Sequence, residues 1–86
     1  MNLNATERLN RAIREVVDNQ LRDLDPPETR ETFERLVEDG YSSEQARTLI
    51  GFVVSSEIFD ILKNMEPYNH ERFVEALRRL PELPRE

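Results

Sequence analysis

The chain has 86 residues, enough for one domain with a modest hydrophobic core. It has no cysteine and one histidine, which excludes disulfides, thiolate metal sites and sites built from several imidazoles of one chain. Twelve basic and 18 acidic residues give a formal net charge of -6, which disfavours binding to nucleic acids and to anionic lipid surfaces.

The first two predicted helices are separated by a pair of prolines. Apolar residues at helical spacing predict a first helix over about 4–24. Asp25-Pro26-Pro27 should end it, because proline lacks an amide hydrogen and disfavours helix in the residue before it. A second helix is predicted over about 27–39, and Gly40 fits the left-handed position that commonly follows a helix.

The third predicted helix is the longest and most apolar one. Ser42 can cap its first turn, and Gln45 lies three residues later, which is the pattern of a capping box. The helix is predicted over about 43–66, and Pro67 should end it.

A fourth helix is predicted over about 70–80, with Asn69 as its cap and Pro81 as its end. The tail, 81–86, is expected to be extended or frayed. These elements predict an all-α fold, a single four-helix bundle-like domain over 1–86 with a long apolar central third helix.

The apolar residues of the predicted third helix cover an arc of about 200° on a helical wheel. Such a helix must be covered on more than one side, either by the other three helices or by a second chain, because small domains often gain stability by pairing. The candidate interface residues are Phe52, Ile58, Phe59 and Leu62. The sequence therefore predicts a non-enzymatic protein-interaction or oligomerisation module that associates with itself or with another protein.

Gly51 lies inside this helix, where glycine costs about 1 kcal/mol relative to alanine. Either a close helix crossing offsets this cost, or the fold simply tolerates the glycine.

A pair of carboxylates supports an alternative interpretation. Glu57 and Asp60 lie one turn apart, and paired carboxylates can perform acid–base chemistry or hold a cation. With His70 they could form a small ligand- or metal-dependent enzyme component. The favoured interpretation is structural: Glu57 is partly buried and paired with an arginine of another helix, and His70 is exposed in a first turn. No catalytic residue, metal ligand or cofactor is predicted.

A small basic cluster, Arg78, Arg79 and Arg85, gives a second alternative, nucleic-acid binding. Arginines are also the expected charges at the C-terminus of a helix. Because the net charge opposes phosphate binding, nucleic acid is not an expected partner.

A cytoplasmic location is expected, without a membrane partner. Met1 to Thr6 lacks a basic segment followed by an apolar run, so no secretory signal is predicted. The longest apolar stretch, Leu49 to Val54, is too short to cross a bilayer.

The stretch from Phe33 to Ile50 resembles the first half of a ubiquitin-associated (UBA) domain, with Gly40-Tyr41 as the turn and Ser42 to Ala46 as the start of the next helix. Asn69 to Leu77 is similar to the third helix of that family. The chain also resembles small uncharacterised bacterial helical families, known as domains of unknown function. The UBA resemblance implies a helical partner-binding module.

Overall fold

A computed structural model describes residues 4–84. Four α-helices make up this part of the chain, which contains no β-strand, so the predicted all-α class is confirmed. The helices are α1 (Ala5–Asp23), α2 (Pro27–Glu38), α3 (Ser43–Asn64) and α4 (His70–Arg79).

Short polar side chains begin three of the helices. The Asn4 side chain accepts a hydrogen bond from the Glu7 amide at 2.8 Å and starts α1. The predicted capping box of α3 is confirmed: Ser42 Oγ accepts from the Gln45 amide at 3.0 Å, and the Ser42 amide donates to Gln45 Oε1 at 2.9 Å. Asn69 caps α4 in the same way.

Three of the four helices in the described residues, α1, α2 and α3, are followed by a residue in the left-handed region of the backbone. Gly40 has a φ of 109° after α2, as the sequence predicts. Leu24 and Met65 adopt φ angles of 53° and 54° and end α1 and α3. The prediction that α3 continues to residue 66 is wrong, because Met65 already leaves the helical conformation.

The third helix is central. It contacts α1, α2 and α4, whereas α1 and α4 do not contact each other within residues 4–84. The buried apolar side chains form one core between the four helices, so the bundle-like arrangement around α3 is confirmed. The core residues are Val17, Leu21, Leu36, Ala46, Ile50, Val53, Val54, Phe73, Leu77 and Leu80.

The segment after α4 turns back onto the helices. Leu80 is buried, and its carbonyl oxygen accepts a hydrogen bond from the Arg35 guanidinium at 2.9 Å. The Glu82 amide donates to the carbonyl of Arg79 at 2.9 Å. Leu83 and Pro84 then line a groove with side chains of α3. The expectation of an extended or frayed tail stays a prediction, and 85–86 lie outside the described residues.

Candidate interaction surface

Two opposite sides of α3 carry apolar residues, and only one side is buried in the core. On a helical wheel with about 100° per residue, the buried positions of α3 are centred on Glu57, which is 6% exposed. All four candidate interface residues lie outside the core. The exposed fractions are 49% for Phe52, 37% for Ile58, 44% for Phe59 and 70% for Leu62. The structure thus separates core from surface on a helix where both sides have similar residue types.

The exposed side of α3 has the spacing of a coiled-coil seam. Phe52, Ser55, Phe59 and Leu62 follow one another at intervals of three, four and three residues. This alternation keeps side chains along one line of an α-helix, where they can pack against a facing helix. We call these four residues the outer seam. Ile58 and Met65 flank it, and both are exposed.

Grooves border the outer seam on both sides. One groove of about 220 Å³ separates it from the tail and is lined by Phe52, Ser55, Ser56, Phe59, Leu83 and Pro84. The other, of about 350 Å³, lies towards α1 and is lined by Asn10, Ile13, Arg14, Arg47, Thr48, Gly51, Phe52 and Ser55. The part of the seam from Phe52 to Phe59 therefore lies between a groove towards α1 and a groove towards the tail.

Gly51 faces α1 without an unusually close contact. A Cβ atom at this position would lie 3.5 Å from Ile13 Cγ2, which is ordinary van der Waals distance. A close crossing within the chain therefore does not require glycine here. Of the two explanations for Gly51, the structure favours the tolerated residue.

The Glu57 carboxylate is part of the link between α3 and α4. Arg72 donates to it through Nε at 3.0 Å and through a terminal nitrogen at 2.7 Å, and the Asn69 amide donates at 3.2 Å. Burial alone raises the pKa of the Glu57 carboxyl, but these hydrogen bonds outweigh burial and hold the pKa below its ordinary value. The carboxylate is thus ionised and linked to α4 and the residue before it by three hydrogen bonds, and the predicted arginine partner is confirmed as Arg72.

Glu57 and Asp60 line one pocket of about 350 Å³ together with Arg72, whereas His70 is not among the residues that line it. An Asp60 carboxylate oxygen lies 3.8 Å from Arg72 Nε, on the solvent side of the same ion pair. The His70 ring is exposed, as predicted; its Nδ1 lies 3.1 Å from the Tyr68 hydroxyl and its Nε2 lies 3.8 Å from Glu28 of α2. Among residues 4–84, no cluster of three or more histidine or acidic side chains could hold a metal ion.

The basic cluster near the end of α4 is only partly described. Arg78 and Arg79 are exposed, and Arg79 lies 3.3 Å from the Glu75 carboxylate one turn earlier. Arg85 lies outside the described residues. Nucleic-acid binding through these arginines stays a prediction.

None of the helices in the described part of the chain is both long and apolar enough to cross a membrane. Comparisons with protein-family models, with curated proteins and with solved structures found no match to this chain. The UBA resemblance therefore stays a prediction.

Sequence reasoning missed two components of this surface. Ser55 lies inside the predicted apolar arc of the third helix but is not among the predicted interface residues, although the three-four spacing is visible in the sequence. The contribution of Leu83 and Pro84 could not be found there, because it depends on the path of the chain after α4.

Proposed function

We propose that this protein is a non-enzymatic interaction module of the cytoplasm, and that the exposed side of α3 binds another polypeptide. The supporting observation is that Phe52, Ile58, Phe59 and Leu62 all lie outside the core although they belong to the central helix. Large apolar and aromatic groups are the residues that an interface needs at its centre.

The exposed apolar area is appropriate for an interface. With about 200 Å² for a fully exposed large side chain, the outer face of α3 and the adjoining Met65, which follows the helix, together present roughly 500 Å² of apolar surface. A standard interface buries about 800 Å² on each partner, and homodimer interfaces are about 65% apolar. Polar groups around the seam, such as Ser56 and Thr48, would complete an interface of that size.

The arrangement of the charged groups supports binding over catalysis. Glu57 accepts three hydrogen bonds, two of them from the Arg72 guanidinium, so its carboxylate is already paired with a cation of the protein itself. The ion pair with Arg72 instead fixes α4 against the inner side of α3, which leaves the opposite side of α3 exposed. The UBA resemblance, if it reflects ancestry, implies the same class of function.

Site-specific photocrosslinking tests this proposal. We would incorporate p-benzoylphenylalanine in place of Phe59, add the purified protein to a lysate of the source cells and irradiate. The matched control carries the same group in place of Val37, which is 41% exposed on α2. Covalent adducts at position 59 and none at position 37 are expected. Absence of adducts at 59, or equal adducts at both positions, would contradict the proposal.

A further inference from the structure

The outer seam alternates large and small side chains in a way that distinguishes between possible partners. Its order is Phe52, Ser55, Phe59 and Leu62, so one small residue lies between two aromatic ones. A helix that packs on this seam must place a large group over Ser55 and a smaller one against each Phe, because interfaces pack at the density of protein interiors.

A second α3 in antiparallel orientation meets this requirement. If the two helices cross with residue 57 of each at the centre, Phe52 faces the partner's Leu62 and Ser55 faces the partner's Phe59. Each layer then contains one aromatic ring and one smaller side chain. In a parallel pair, Phe52 would face the partner's Phe52 and Ser55 the partner's Ser55. That arrangement crowds two rings into each of the Phe52 and Phe59 layers and leaves a gap between the two Ser55 side chains. Both the crowding and the gap are destabilising.

Grooves border the space that such a helix would occupy. Asn10 and Ile13 of α1 line one groove, and Leu83 and Pro84 of the tail line the other. Because neighbouring helix axes lie only about 8–10 Å apart, side chains of a second helix on the seam can reach into both grooves. The residues from Phe52 to Leu62 span about 15 Å, or three helical turns.

Lys63 does not block this arrangement. Its ammonium group lies 5.6 Å from the centre of the Phe59 ring, where it covers part of the ring. A long lysine side chain can move its charged end to solvent while its methylene groups remain packed on apolar surface.

We infer that the partner is a second copy of this chain, and that the two α3 helices pair antiparallel with Phe59 of each over Ser55 of the other. This inference rests on the proposed function and adds the identity of the partner and its orientation. The exposed apolar area, roughly 500 Å² on each chain, matches the apolar share of a standard homodimer interface.

Crosslinking between introduced cysteines tests the orientation, since the native chain contains no cysteine. Thr48 and Lys63 are exposed and both lie within α3. In the antiparallel register, Thr48 lies within one helical turn of residue 63 of the partner, whereas each position lies at least about 18 Å along the axis from its own counterpart. We would prepare Thr48→Cys and Lys63→Cys separately, mix them to allow exchange, and treat with a bis-maleimide that spans about 10 Å.

The mixture should give at least tenfold more crosslinked dimer than either variant alone. Equal crosslinking in the single-variant samples indicates a parallel pair and overturns the inference. A molar mass of one chain for the uncrosslinked protein also overturns it. If the protein is a single chain in solution but photocrosslinking at position 59 still gives adducts with a different protein, the proposed function stands and only the inference of a second copy fails. The two proposals can therefore fail separately.

A pair of packing variants tests the layers themselves. In the Ser55→Phe variant, each of the two central layers contains two aromatic rings. The dissociation constant of the dimer should therefore rise at least tenfold. The double variant Ser55→Phe/Phe59→Ser restores one ring and one small side chain per layer and should recover most of that loss. A double variant that associates no better than Ser55→Phe contradicts the register.

Discussion

The Glu57–Arg72 ion pair allows the most specific prediction about stability. The Glu57→Gln variant keeps the shape of the side chain but removes its charge and one of its two acceptor oxygens. The native carboxylate is 6% exposed and accepts three hydrogen bonds, two of them from the Arg72 guanidinium. The substitution therefore weakens the principal polar link between α3 and α4.

The expected loss is about 2 kcal/mol in the free energy of unfolding. Hydrogen bonds to charged groups contribute about 1.5–3 kcal/mol. Glutamine retains one of them in neutral form, and the Arg72 side chain is 35% exposed, so water can solvate it after the change. For a domain of this size, a loss of about 2 kcal/mol lowers the melting temperature by roughly 10 °C.

Urea unfolding at pH 7, followed by circular dichroism, measures this loss. Asp60→Asn is the matched control, because Asp60 also faces Arg72 but at 3.8 Å and with greater exposure. The control should stay within about 0.5 kcal/mol of the wild type, as most exposed ion pairs do. A Glu57→Gln variant as stable as the Asp60→Asn control would refute the reasoning.

The same pair predicts a dependence on pH. The folded state holds the pKa of the Glu57 carboxyl below the ordinary value of 4.5, because hydrogen bonds from Arg72 and the Asn69 amide outweigh the effect of burial. Its contribution is therefore fully present above pH 4.5 and is lost as the pH falls through the lowered pKa. The difference in unfolding free energy between wild type and Glu57→Gln should shrink from pH 7 to pH 3; a constant difference would contradict this assignment.

Three further substitutions test the local structure, each by thermal unfolding. Gly51→Ala should raise stability by about 0.5–1 kcal/mol, because the new methyl group meets Ile13 at an ordinary contact distance, and a loss would show that the site is more crowded. Ser42→Ala should lose about 1 kcal/mol, since it removes the bond to the Gln45 amide; an unchanged melting temperature would mean that the cap contributes nothing. Gly40→Ala should lose at least about 1 kcal/mol because φ is 109°, and full stability would contradict that backbone conformation.

The helices could be predicted because their signals are local. Ser42 and Gln45 lie within one turn of each other, and Gly40 needs no distant partner to end α2. The predicted helix boundaries accordingly agree with the structure to within two residues. The end of α3 was the least accurate, because Met65 is a residue type that seldom adopts the left-handed conformation.

The division of α3 into core and surface could not be predicted. Val53 is buried and its neighbour Phe52 is exposed, although both are apolar. The difference depends on where α1, α2 and α4 pack around the helix. Gly51 of α3, for example, faces α1. This is evident only from its distance to Ile13, which lies 38 residues earlier in the chain.

The partner of Glu57 was predictable only as a residue type. A buried carboxylate in a helical bundle needs a cation, and α4 offers Arg72, Arg78 and Arg79. The structure selects Arg72 because it lies in the first turn of α4, beside the C-terminal half of α3, where Asn69 also reaches the carboxylate.

The molar mass in solution tests the central claim, that a second copy of the chain covers the exposed side of α3. We would measure it by size-exclusion chromatography with light scattering for the wild type, for Phe59→Glu and for Val37→Glu. We expect twice the chain mass of 10.2 kDa for the wild type and for Val37→Glu, and a folded protein of 10.2 kDa for Phe59→Glu. A wild type of 10.2 kDa at high concentration, or a dimer that Phe59→Glu leaves intact, would contradict it.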